Sequence, residues 1–153
     1  MSPNPSARRV VAVSACLLGE RCRFDGRDKL DRDLVERLRA EGAEIVPICP
    51  EVLGGLGTPR PAAEIRGGDG EDVLDGRARV VVVATGKDVT REFLVGAEAA
   101  LAAARAAGAT EAVLKERSPS CGPTEVHRDG GPKPGLGVAA ALFRRAGLRV
   151  IAR

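Results

Sequence analysis

The segment VVAVSACLLG, residues 10–19, joins a β-branched apolar run to a cysteine and a glycine in the turn that ends it. A second apolar run covers residues 43–48, and Cys49 and Pro50 follow it directly. Between the two runs, apolar residues recur at helical spacing: Leu30, Leu34, Val35 and Leu38. A strand, a helix and a strand in this order favour parallel pairing with a right-handed crossover. The opening part of the chain therefore predicts an α/β fold.

The same alternation returns in the second half of the chain. Its predicted elements are a helix over 91–107, a strand over 111–114, a helix over 138–146 and a strand over 148–151. We predict a single Rossmann-like, doubly wound α/β domain with a mostly parallel sheet over residues 9–153. Residues 1–8, with two prolines and two serines, are predicted to form a disordered tail.

Two stretches rich in glycine and proline interrupt this pattern. In the first, short apolar runs at 73–74 and 79–84 flank the turn-forming pair Asp75-Gly76, which predicts an inserted β-hairpin near the site. The second, residues 122–135, contains three prolines and four glycines and predicts a mobile loop over the strand ends.

Charge and composition argue against a nucleic-acid partner. The 24 basic and 21 acidic residues leave a net charge of +3, without a long run of one sign. Proteins that bind single strands stack bases on aromatic side chains, and this chain has three Phe and no Trp or Tyr. We expect no DNA partner, and an enzyme acting on thiolated tRNA is disfavoured.

The apolar stretches also argue against a membrane partner. The stretch before Cys16 is shorter than a secretory signal requires, and no other stretch is long enough to span a bilayer. We therefore predict a cytoplasmic protein, in which four cysteines indicate metal or redox chemistry rather than structural disulfides. The sequence leaves the oligomeric state open.

Three cysteines follow predicted strands at the point where each gives way to a turn: Cys16, Cys49 and Cys121. Parallel strands would bring these thiols to one carboxyl edge, where open α/β folds bind ligands. Three convergent thiolates would hold a metal centre, either an iron–sulfur cluster or zinc, with one position left for a substrate. The alternative is that each cysteine is a small buried core residue.

Cys22, six residues after Cys16, is the fourth thiol. If it closed the metal site, four thiolates would suit electron transfer or a structural zinc rather than catalysis. We favour Cys22 as a neighbour of the metal rather than a ligand, because it falls past the strand end in a polar turn.

Five motifs in one order resemble the bacterial thiouracil desulfidase family of iron–sulfur desulfurases. These are SACLLG (14–19), CRFDG (22–26), CPEVLGGLGTPRPAAEI (49–65), GKDVT (86–90) and LKERSPSCG (114–122). The resemblance extends from about Val10 to the C-terminus. It implies an enzyme that removes sulfur from a small thiolated pyrimidine base by non-redox hydrolysis, converting thiouracil to uracil and sulfide.

The resemblance also implies a cofactor and site residues. It implies a [4Fe-4S] cluster held by Cys16, Cys49 and Cys121, with the fourth iron not bound by protein. Glu51 matches the acidic catalytic position of the family. One of two serines matches the catalytic serine, with Ser118 preferred over Ser120.

Several weaker candidates complete the predicted site. Possible pocket residues are Cys22, Asp25, Arg60 and Lys115. His127, the only histidine, falls in the predicted loop and is interpreted as surface, so we expect no covalent serine catalysis. The competing function is a non-catalytic module, in which all four cysteines hold an electron-transfer cluster or a structural zinc.

Overall fold

Two four-stranded sheets organise residues 9–153, the part of the chain that the computed structural model describes. The tail predicted for residues 1–8 lies outside the described residues. The strands are β1 (Val10–Ser14), β2 (Glu44–Ile48), β3 (Ala63–Arg66), β4 (Arg79–Val82), β5 (Glu111–Leu114), β6 (Glu125–Arg128), β7 (Gly131–Pro134) and β8 (Arg149–Ala152). The helices are α1 (Arg32–Ala40), α2 (Pro50–Leu53), α3 (Gly70–Leu74), α4 (Thr90–Ala106) and α5 (Val138–Arg145).

The first sheet is fully parallel and has the strand order β2-β1-β5-β8. Ser14 at the end of β1 pairs with Ile48 at the end of β2, and Val13 pairs with Val113 of β5. The carboxyl ends of β1, β2 and β5 therefore lie next to one another at one edge of the sheet. The turns that follow them, which carry the three predicted cysteine ligands, begin at one edge of the sheet.

The residues of β1 alternate between two hydrophobic clusters because successive side chains of a strand point to opposite faces. Val11 and Val13 pack with Leu34 and Leu38 of α1 on one face. On the opposite face, Val10 and Ala12 belong to a cluster with apolar residues of α4 and α5. Helices thus cover both faces, and the predicted Rossmann-like α/β class with a mostly parallel sheet is confirmed.

The second sheet is mixed, with the order β4-β3-β6-β7, and contains the inserted hairpin. The antiparallel arms of this hairpin are β3 and β4. The arm predicted at residues 73–74 is wrong, because those residues belong to α3. The Asp69 carboxylate accepts the Glu71 amide at 3.0 Å, and the Asp72 carboxylate accepts the Asp69 amide at 3.0 Å. This reciprocal capping stabilises a helical turn instead of a strand.

The mobile loop predicted over residues 122–135 is also wrong. Most of it forms the antiparallel pair of β6 and β7, which extends the second sheet. Pro132 and Pro134 lie on β7, at the edge of the sheet, where a missing backbone N–H costs no ladder hydrogen bond. No helix in residues 9–153 is both long and apolar enough to cross a membrane.

Helix α2 packs directly against the backbone of α4 through two glycines. A Cβ at Gly96 would lie 1.8 Å from the carbonyl oxygen of Pro50, and one at Gly54 would lie 2.0 Å from that of Glu92. Because α2 begins next to Cys49 and carries Glu51, this contact sets the position of both side chains.

We expect Gly96→Ala to destabilise the fold. Alanine gains about 1 kcal/mol of intrinsic helix propensity over glycine. A methyl group 1.8 Å from a backbone carbonyl oxygen needs a backbone shift that costs at least the upper end of the roughly 1–3 kcal/mol of ordinary overpacking, so the net loss in the free energy of unfolding is about 2 kcal/mol or more. Urea denaturation measures this loss. The control is Glu98→Ala, an exposed position of the same helix, whose free energy of unfolding is expected to stay within about 0.5 kcal/mol of wild type. Equal stability of Gly96→Ala and wild type would contradict the close α2–α4 contact.

Candidate functional site

A cavity of about 480 Å³ lies where the carboxyl edge of the parallel sheet meets the second sheet. All but one of the predicted site residues line it: Cys16, Cys22, Cys49, Glu51, Arg60, Lys115, Ser118, Ser120 and Cys121. The exception is Asp25, which does not line the cavity; its carboxylate accepts the Arg27 amide at 3.0 Å and lies 3.5 Å from the Arg23 guanidinium.

Three turns deliver three free cysteines to this cavity. Cys16 lies in the 3₁₀ turn after β1, Cys49 precedes the first residue of α2, and Cys121 lies in the turn region after β5. Burial, with a smaller contribution from the neighbouring thiols, raises the pKa of Cys16 to about 11 and that of Cys121 to about 12; the contributing thiol is Cys49 for Cys16, and Cys16 and Cys49 for Cys121. The three side chains are therefore close enough to interact electrostatically, as soft donors around one space.

Cys22 lies beside Cys49. The Sγ atom of Cys49 is 3.8 Å from the carbonyl oxygen of Cys22. A hydrogen bond from the Cys22 thiol lowers the pKa of Cys49 to about 7 and raises the pKa of Cys22 itself. Cys49 is therefore the thiol that ionises most readily, and Cys22 stabilises its thiolate.

The spacing of these donors bears on which metal centre they suit. Within residues 9–153, no three Cys, His, Asp or Glu side chains converge tightly enough to hold a single metal ion. In a cubane cluster each cysteine binds a different iron, so the ligands surround a volume rather than a point. Three thiols around a shared cavity fit an iron–sulfur cluster.

Glu51 is held from two sides. Its Oε1 accepts a hydrogen bond from Arg60 Nε at 3.1 Å, and its Oε2 accepts one from Ser120 Oγ at 2.9 Å. The Glu51 side chain is 13% exposed and that of Arg60 is 7% exposed. One carboxylate oxygen is thus bound to the Arg60 guanidinium, while the other faces the two serines.

The two serines form a directed chain of hydrogen bonds. Ser118 Oγ accepts the backbone amides of Ser120 at 3.2 Å and Cys121 at 3.1 Å, which uses both of its lone pairs. Its own proton is within reach of Ser120 Oγ at 2.8 Å and of Glu51 Oε2 at 3.4 Å, and the shorter contact favours Ser120. Ser120 in turn directs its proton to Glu51. Ser118 therefore orients Ser120, and Ser120 makes the closer contact with Glu51, although the motif resemblance favours Ser118.

The Arg60 side chain also connects separate loops. Its guanidinium donates to the carbonyl oxygens of Cys22 at 2.9 Å and Gly57 at 3.1 Å. It donates as well to Thr58 Oγ1 at 3.1 Å. Arg60 is thus a buried junction between Glu51 and the turn that carries Cys22.

Lys115 forms part of the opposite wall. Its Nζ donates to the carbonyl oxygen of Glu116 at 3.0 Å, and burial lowers its pKa. Its backbone amide donates to Ser14 Oγ at 2.9 Å, which ties the turn after β5 to the end of β1.

Sequence reasoning missed some residues that line the cavity. Phe24 belongs to the CRFDG motif, from which the neighbouring Asp25 was selected instead. His127 is exposed, as predicted, but it lies on β6 rather than in a loop. It borders the cavity, and so do Gly130 and Gly131. For His127, Gly130 and Gly131, the sequence signal was the pair of adjacent glycines, because glycine permits close approach of the backbone to a ligand.

The fold and the site define an α/β protein with a thiol-lined cavity at the edge of its parallel sheet. A sequence model of the 2-thiouracil desulfurase family matches residues 11–153. The chain belongs to this family.

Two similar proteins agree with this assignment. The uncharacterized protein YbbK of Bacillus subtilis (strain 168) is 45% identical over 148 residues, which cover 93% of this chain and 94% of that protein. The solved structure of TudS, a [4Fe-4S]-dependent thiouracil desulfidase, is 42% identical and superposes with a TM-score of 0.79, over 96% of this chain and 91% of that chain.

We expect Arg60→Ala to lower the free energy of unfolding of the cluster-free protein by about 3 kcal/mol, because it leaves the Glu51 carboxylate buried without its cation. Adding Glu51→Gln to this variant removes the stranded charge and recovers part of the loss. Denaturant unfolding measures both effects. The control is Arg79→Ala, whose partner Asp88 stays in solvent, since the Arg79 side chain is 68% exposed and that of Asp88 is 48% exposed, with an expected loss under about 1 kcal/mol. Equal losses for Arg60→Ala and Arg79→Ala would contradict the buried junction.

Proposed function

We propose that this protein is a [4Fe-4S]-dependent desulfidase that hydrolyses thiouracil. In the net reaction, water replaces the thiocarbonyl sulfur, and uracil and hydrogen sulfide are formed without oxidation or reduction. The observation that carries the proposal is a carboxylate held by two serines and an arginine inside a cavity lined by thiols from three strand ends.

We assign Cys16, Cys49 and Cys121 as the cluster ligands, with the fourth iron left free of protein. When bound, the cluster supplies a Lewis-acidic iron for the sulfur of the substrate. Cys22 is left out of this set because it does not lie in a turn that directly follows a strand of the parallel sheet, and its contact with Cys49 is through its carbonyl oxygen, 3.8 Å from Cys49 Sγ. These assignments rest on the strand-end turns that carry Cys16, Cys49 and Cys121, since Cys22 lines the cavity as well.

Glu51 Oε2 is the proton carrier in this proposal. It accepts one proton from the water that attacks the ring carbon and passes it to the departing sulfur. It then accepts the proton of the new hydroxyl group as the carbonyl of uracil forms, and this second proton converts the released HS⁻ to hydrogen sulfide. Arg60 keeps Oε1 occupied, so that Oε2 is the oxygen that exchanges the proton. The attacking water then needs a position within hydrogen-bond reach of Oε2, next to Ser120.

Ser120 Oγ orients the reacting groups rather than attacking the carbon. No histidine or lysine hydrogen-bonds it within the described chain, and its one basic partner, the Glu51 carboxylate, is the group that this proposal assigns to the attacking water. Its hydroxyl can instead hold the attacking water or a ring substituent against Glu51. Ser118 keeps Ser120 in this orientation through the two backbone amides that it accepts.

We expect the cysteines to separate into two groups by iron content. After anaerobic reconstitution, Cys16→Ala, Cys49→Ala and Cys121→Ala each lose the iron and acid-labile sulfide of the wild type, because each removes a ligand. Cys22→Ala is the matched control and retains both. If Cys22→Ala also lost its cluster, all four cysteines would be ligands, which would favour an electron-transfer module.

We expect Glu51→Gln to keep the cluster and lose turnover. The amide preserves the size of the side chain but cannot exchange the proton, so sulfide release from thiouracil falls by about 100-fold or more. Iron content and the visible spectrum report the cluster, and Glu98→Gln, exposed on α4, is the control with wild-type turnover. Undiminished sulfide release by Glu51→Gln would remove Glu51 from the mechanism.

A further inference from the structure

Phe24 is an exposed aromatic side chain at the candidate site. Of the three phenylalanines of the chain, Phe93 and Phe143 are buried in the core. Phe24 is 41% exposed and, among the described residues, is the only phenyl ring that lines the cavity. A ligand that covered this ring would remove apolar surface from water, which is favourable.

The turn that carries Phe24 is ordered by its own hydrogen bonds. The Gly26 amide donates to the Arg23 carbonyl at 2.9 Å, and the Asp25 carboxylate accepts the Arg27 amide at 3.0 Å. The Arg23 guanidinium lies over the phenyl ring, 5.9 Å from its centroid. The ring is therefore covered by a cation on one face, and its position does not depend on a bound ligand.

Arg60 fixes the placement of Phe24 relative to Glu51. The backbone amide of Arg60 donates to the Phe24 carbonyl at 2.8 Å, while its side chain donates to Glu51 at 3.1 Å. The Phe24 backbone and the Glu51 carboxylate are thus anchored on the same residue. A substrate held between them would meet an aromatic surface and a proton carrier at a set separation.

A thiolated pyrimidine presents polar groups on its edges and a flat π-surface on each face. The cysteines, serines and Glu51 supply partners for the edges, but none of them covers a face. We propose that Phe24 is the residue that stacks on the substrate ring, and that it sets a preference for planar thiolated rings over acyclic thiocarbonyl compounds. This inference rests on the function proposed above.

The test compares Phe24→Ala, Phe24→Leu and Phe24→Tyr with wild type after iron content is shown to be equal. Stacking contributes about 5- to 100-fold to the affinity for one base. We expect Phe24→Ala and Phe24→Leu to raise the KM for thiouracil by this factor with kcat within about threefold of wild type, since the ring acts in binding and not in proton transfer. Phe24→Tyr keeps the ring, so its KM for thiouracil stays within about twofold of wild type.

Two further measurements make the test specific. Thiourea, which has no ring, should show a KM that changes less than about twofold in the same variants. Leu30→Ala removes a similarly exposed apolar side chain, 43% exposed and outside this cavity, and is expected to match wild type. If Phe24→Ala does not fold, the KM for thiouracil of Phe24→Leu, compared with that of Phe24→Tyr, decides whether the ring stacks on the substrate.

The outcomes separate this inference from the proposed function. If wild type releases sulfide and Phe24→Leu keeps the wild-type KM, stacking by Phe24 is overturned. If wild type releases no sulfide from thiouracil, the proposed function fails, and calorimetric titration with uracil then decides on Phe24. Weaker uracil binding by Phe24→Leu than by Phe24→Tyr supports stacking, and equal binding overturns it.

Discussion

Parallel pairing of β1 with β2 and β5 is the constraint on which the candidate site depends. The register brings Ser14 level with Ile48, and Val13 level with Val113, so the turns after these strands begin at one edge. A slip of one residue in β1 would exchange its two buried faces and move Cys16 away from the cavity. Because α1 fills one face of β1 and α4 and α5 fill the other, the hydrophobic clusters oppose such a slip.

Two contacts convert this edge into a site with defined chemistry. Gly54 and Gly96 let α2 lie against α4, and this contact sets the backbone position of Glu51. Arg60 then holds the Glu51 carboxylate, the Cys22 carbonyl and the Phe24 carbonyl. The geometry of the carboxylate thus depends on a backbone contact and on one buried cation, rather than on the flexible side chain of Glu51 alone.

The strands of the parallel sheet and the grouping of Cys16, Cys49 and Cys121 around one cavity were predictable from the sequence, because β-branched runs followed by turns indicate strand ends. The regions rich in glycine and proline were not. The capping pair Asp69 and Asp72 was overlooked, and the prolines of β7 concealed an edge strand. The choice of Asp25 over Phe24, and of Ser118 over Ser120, depends on side-chain directions that only tertiary contacts determine.

Cys16 and Cys121 belong to different hydrophobic clusters, one packed against α1 and the other against α4 and α5. Protonated thiols are small apolar groups, so both fill these interiors without a metal. It follows that the two sulfur atoms enter the cavity from opposite sides of the parallel sheet. A change of packing on one side would therefore move one thiol and leave the other in place.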